Sequence, residues 1–137
     1  MTSTFRIRDA SGWTIFIFGI LALLFGLVSL IRPELLLSTL DFTVLDRTSR
    51  AVGDYTLVFI IASSMAAINV GAYYILASLN DMKQFYKWTV SFRCLTFLVF
   101  TIAVLTNLAP GRFLGVGAWE LAGALATGIA LRWENKQ

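Results

Sequence analysis

The sequence predicts an all-α fold, a four-transmembrane-helix bundle with an amphipathic interfacial connection between helices 1 and 2. Three observations predict it. Of the 137 residues, 58% are hydrophobic and 14% charged, with a mean hydropathy of +0.76, an apolar excess well beyond that of an ordinary soluble domain. Charged residues are absent from Ala10–Ile31 and again from residues 55–80, and each run exceeds the ~20 residues that span a bilayer at ~1.5 Å per residue. Two more apolar stretches follow, at about residues 88–108 and 113–131.

Helix 1 is expected over residues 13–31. Arg6 and Arg8 precede it as they would a signal peptide, but the apolar run is longer than an ordinary h-region and no small-x-small cleavage site follows. It is therefore read as a span. Pro33 and Glu34 suit a helix start. The rest of the connection to Asp54 carries Leu35, Leu36, Leu37, Leu40, Phe42, Val44 and Leu45, more apolar surface than a solvated loop needs. This segment is expected to lie in the outer interface, either as an anchor or as a lid over a pocket between the helices.

Helix 2 is expected over residues 55–77 and helix 3 over 88–108. Ala109-Pro110-Gly111-Arg112 makes a tight turn, because proline cannot continue helix 3 and glycine supplies a permissive backbone. Helix 4, over residues 113–131, then runs antiparallel to helix 3 and is interrupted by Glu120. Residues 1–137 thus form a single membrane domain. Gly12, Gly19 and Gly26 recur every seven residues in helix 1, and Ala62, Ser63, Ala66, Ala67 and Gly71 give helix 2 small faces; small residues let membrane helices approach closely.

One face receives Arg6, Arg8, Lys83, Lys87, Arg132 and Lys136, and the other Arg32, Arg47, Arg50 and Arg112. The positive-inside rule then places both termini in the cytoplasm. Trp13, Tyr86, Trp88 and Trp133 fall at the face holding the termini, where amphipathic rings prefer the headgroup layer. The lipid bilayer is the first partner implied. With basic residues scattered at span ends rather than gathered in a stripe, nucleic acid is not one.

There is no histidine and one cysteine, Cys94. Zinc sites, haem ligation, iron-sulfur clusters and intrachain disulfides lack their ligands, and no metal site or cofactor is expected. His-based triads are excluded likewise.

Glu120 is the most informative residue, because a carboxyl group about 10 Å inside a span faces a cost of at least ~2.5 kcal/mol if charged and alone. Gly117, Gly123, Ala124, Thr127 and Gly128 share its helical face at 100° per residue. Arg93 reads either as a snorkelling side chain or as part of an inward polar stripe with Thr89, Thr96 and Asn107, with Asn69 as a hydrogen-bond partner at comparable depth. Arg50 and Asp54 are spaced i,i+4 at the start of helix 2 and pair on one face. With Tyr55 and Glu120 they are expected to converge in an outer half-pocket; Trp119 beside Glu120 completes the candidate set.

The run Gly26-Leu27-Val28-Ser29-Leu30-Ile31-Arg32-Pro33-Glu34, then Ser49-Arg50-Ala51-Val52-Gly53 opening helix 2, then a hairpin before an acid-containing last helix, resembles the small DoxX-like four-helix membrane proteins. The resemblance implies four spans, in a group that includes partners of membrane redox enzymes, and carries over no catalytic set. From the residues, the expected function is an intramembrane pocket for a lipophilic small molecule, with Glu120 and Asp54 as catalytic acids of an isomerase or cyclase and Arg50, Tyr55, Asn69, Arg93 and Trp119 binding the substrate. The alternatives are a proton-coupled carrier working as a homodimer and a non-catalytic accessory or structural subunit.

Overall fold

The computed structural model describes residues 6–136. It is an all-α bundle of four long apolar helices, α1 (Ala10–Ile31), α3 (Thr56–Leu79), α4 (Lys83–Leu105) and α5 (Leu114–Glu134), with a seven-residue α2 (Pro33–Thr39) between the first two. All four long helices are of spanning length and hydropathy. The chain is a multi-pass membrane protein.

Each boundary has a local cause. α1 begins three residues before its expected start because Asp9 caps it, its Oδ1 accepting from the Gly12 N–H at 2.8 Å. α2 opens on Pro33 at its first turn, where proline costs no hydrogen bond, and sinks Leu37 while Leu35 stays exposed. α4 begins five residues earlier than hydropathy indicates: residues 83–87 are polar or amphipathic apart from Phe85, yet they continue the helix out into the interface. That extension buries Tyr86, whose hydroxyl donates to the carbonyl of Ala77 at 3.2 Å. The α3–α4 connection shrinks to a tight turn with Asp81 at φ +51°, and Asn107 at φ +58° ends the chain's path from α4.

α1 is the central element, packing along α3 on one side and touching α5 on another, while α4 and α5 form the second pair. Glycine sets the α1–α3 distance. A Cβ on Gly26 would lie 2.9 Å from the Ser64 carbonyl, and one on Gly71 would lie 2.7 Å from the Gly19 carbonyl. The seven-residue glycine spacing is thus used for backbone approach at Gly19 and Gly26. The apolar core, Ile15, Ala77, Tyr86 and Leu131, gathers at the end of the bundle that holds the start of α1 and the end of α5.

Candidate functional site

Three groups of polar side chains hold the candidate residues and their partners. The deepest joins α4 to α5. Glu120 stands six residues beyond Leu114, about 9 Å along the axis, and Arg93 ten residues beyond Lys83, about 15 Å. Arg93 Nε donates to Glu120 Oε2 at 2.8 Å. Arg93 is 4% exposed, so it does not snorkel to the headgroups. Its guanidinium carbon lies 4.0 Å from the centroid of the Phe18 ring of α1, a cation–π contact. Its other side presses on Gly123, where any Cβ would overlap the guanidinium. The α5 face expected to accompany Glu120 is largely the buried one: Gly117, Gly123, Ala124 and Thr127 all point inward. The Glu120 side chain keeps 26% of its surface exposed, and Arg93 Nη1 has no partner among the described residues.

The inward stripe proposed for α4 stops at this pair. Thr89 is buried, but Thr96 is only half-buried and Asn107 is exposed, and Thr96 folds its hydroxyl back onto the Phe92 carbonyl at 3.0 Å. Asn69 is not the partner of Arg93. It lies exposed on α3, which packs on α1, and among the described residues its carboxamide makes no hydrogen bond.

The second group lies at the entrance of α3. Arg50 Nη1 donates to Asp54 Oδ2 at 2.8 Å, and the Asp54 carboxylate also accepts from the Thr56 N–H at 2.9 Å and from the Thr56 hydroxyl. Those Thr56 hydrogen bonds, with Arg50 behind them, hold the Asp54 carboxyl below its ordinary value. Tyr55 is 65% exposed. The expected convergence of Arg50, Asp54 and Tyr55 with Glu120 does not form, because α3 and α5 contact α1 from different sides and each acid is taken by its own arginine. Trp119 makes no hydrogen bond to either acid among the described residues and packs on Phe18 at 4.8 Å between ring centroids, the ring that also covers Arg93.

The third group was missed by sequence reasoning. Lys83 Nζ donates to Glu134 Oε2 at 2.6 Å, to Ser11 Oγ at 2.9 Å and to Asp9. Ser11 in turn donates to Glu134 through its N–H at 2.7 Å and its hydroxyl at 2.8 Å. One cluster therefore joins the beginnings of α1 and α4 to the end of α5. Burial raises the Asp9 carboxyl, but hydrogen bonds from Lys83, the Gly12 N–H and Ser11 outweigh it and hold Asp9 below its ordinary value. Lys83 sat at a span end and read as a topology signal; only the capping position of Asp9, before an apolar run, hinted at more.

Among the described residues, no group of three or more His, Cys, Asp and Glu is placed to hold a metal ion. Two surface clefts, one lined by Ile129, Arg132, Trp133 and Lys136 and the other by Phe42, Val104 and the 107–111 turn, include neither Arg93 nor Glu120. Comparison with protein-family models, curated proteins and solved structures finds no match.

Proposed function

We propose that this chain is a non-catalytic accessory or structural membrane subunit, with its termini in the cytoplasm, and that the Arg93–Glu120 pair is an internal clasp. The observation that carries this reading is the engagement of Glu120 by a buried arginine that is itself held between Phe18 and Gly123. An acid catalyst or a proton carrier needs a carboxyl group that meets cargo; here the carboxylate meets a guanidinium. A paired charge is also what makes burial of Arg93 tolerable, since breaking such a pair leaves an uncompensated charge inside.

The test combines reconstitution with native extraction. In liposomes carrying a pH gradient, the wild-type protein is expected to discharge it no faster than protein-free vesicles. Glu120→Gln is expected to lower the unfolding temperature, and the chain should migrate above its monomer mass after mild extraction. A proton flux abolished by Glu120→Gln in a protein that stays folded overturns the reading.

One observation favours a second reading, a lipophilic ligand at the same pair. Arg93 Nη1 is a buried donor with no partner among the described residues, and buried donors without partners are rare. A carbonyl or carboxylate oxygen on a hydrophobic body would satisfy it. Native mass spectrometry showing a small molecule retained by the wild type and lost from Arg93→Met decides for this alternative.

A further inference from the structure

α3 carries two opposed seams. Ile60, Ser64, Gly71 and Ser78 are buried, the inward set along the face that packs on α1. On the far side, Phe59, Ala62, Ala66, Asn69, Tyr73 and Leu76 are all exposed. Their spacing alternates three and four, the period of a helix–helix seam. The centre of this outer stripe holds two alanines, four apart, that permit close approach, and then an amide.

Asn69 is the anomaly. It stands 13 residues after Thr56 and ten before Leu79, about 20 Å and 15 Å from the two ends of α3, within two residues of the helix midpoint. Hydrocarbon offers no hydrogen bond to a carboxamide there, and an unpaired polar group at that depth is costly. Its neighbours on the stripe are aromatic, aliphatic or small, so nothing on α3 pairs with it.

We infer that this face of α3 binds a second copy of the chain, with Asn69 of each copy hydrogen-bonding the other across a twofold axis along the membrane normal. The argument for a second copy rests on depth and on chemistry. Every copy inserted with the same orientation carries Asn69 at the same level, and a carboxamide both donates and accepts, so two of them satisfy each other with no charge left over. Ala66 and Ala62, about one and two turns toward the Thr56 end, let the two backbones close to a distance at which the amides reach. The inference deepens the accessory-subunit reading by naming a partner. It does not depend on the Arg93–Glu120 clasp, which lies on other helices.

The test is Förster transfer between donor-labelled and acceptor-labelled full-length protein in liposomes, over a dilution series in lipid. The wild type is expected to dimerise, and Asn69→Leu to weaken the dimer by about threefold to tenfold, the range of membrane interhelical hydrogen bonds. Asn69→Leu removes a polar group from a lipid-facing position and is expected to unfold no earlier than the wild type. Ala66→Ile, which thickens the same seam, is expected to weaken the dimer as well. Ser91→Leu, at an exposed position of α4, is expected to change nothing. In a Cys94→Ser background, Ala66→Cys should form an intermolecular disulfide. A protein that stays monomeric as lipid is withdrawn, a dimer indifferent to both Asn69→Leu and Ala66→Ile, or co-extraction only with a different protein overturns the inference. Each of these results leaves the liposome and unfolding measurements on Glu120→Gln to stand or fall separately.

Discussion

The guanidinium of Arg93 is stacked on the ring of Phe18, 4.0 Å from its centroid, so α1 closes over an ion pair formed by α4 and α5. Three helices therefore meet at one charge. Phe18→Leu is expected to retain apolar bulk but lose the ring quadrupole, destabilising by about 0.5–2 kcal/mol. Phe18→Tyr should cost less, and detergent unfolding curves of the two variants measure the difference.

Breaking the pair from one side should cost more than removing it altogether. Arg93→Met and Glu120→Leu are each expected to destabilise by about 3–5 kcal/mol, because each leaves a charge without its partner, whereas the double variant should recover much of the loss. A double-mutant cycle on unfolding free energies in one detergent is the measurement. Additive losses would show that the pair is not coupled.

Two glycines of α5 should behave oppositely. Gly123→Ala forces the Arg93 guanidinium to move and is expected to lower the unfolding temperature. Gly115 has open space where a Cβ would go. There, Gly115→Ala is expected to stabilise by about 0.5–1 kcal/mol, through helix propensity alone. Thermal unfolding of the two variants side by side checks the sign.

Asp9 sets an acid limit. Its carboxyl is held below the ordinary 3.8 in the folded protein, so the stability it contributes is complete above that value and is lost as pH falls through the lower folded value. Unfolding temperature is expected to drop below about pH 4 in the wild type. In Asp9→Asn that part of the acid decline should be missing, and the variant should start from a lower temperature at pH 7.

Asp54 fastens the first turn of α3. Asp54→Ala is expected to speed hydrogen exchange at the Thr56 amide while leaving amides in the middle of α3 protected, with Asp54→Asn in between. Exchange monitored residue by residue distinguishes a local cap from a global contribution.

Much of this was legible beforehand, for a physical reason. Span number and order follow from runs of uncharged residues, which the bilayer enforces without regard to tertiary detail. The i,i+4 spacing of Arg50 and Asp54 likewise announced their pairing, but not its cause: both precede α3, and a turn closed by the Asp54 N–H on the Ala51 carbonyl, with Gly53 at φ +91°, brings them together where a shared helical face was expected. What stayed hidden needed neighbours in space. Arg93 and Glu120 are on different helices, so nothing local tells a snorkelling arginine from a buried one. The 83–87 stretch looked like loop because hydropathy marks where a helix leaves hydrocarbon, not where it stops being a helix. Asn69 was assigned an inward partner on depth alone, and depth carries no information about which way a side chain faces.

Ser11 and Glu134 are 123 residues apart in sequence, yet the first donates two hydrogen bonds to the second. At roughly 5–20 residues per second of synthesis, the start of α1 waits several seconds before its fastening exists. Insertion and fastening are therefore separate events in time. The first span can sit in the lipid early, but the bundle is cinched at that end only when the last helix has arrived, and a chain cut short within α5 would leave Asp9 and Lys83 gripping each other without the acid that closes the knot.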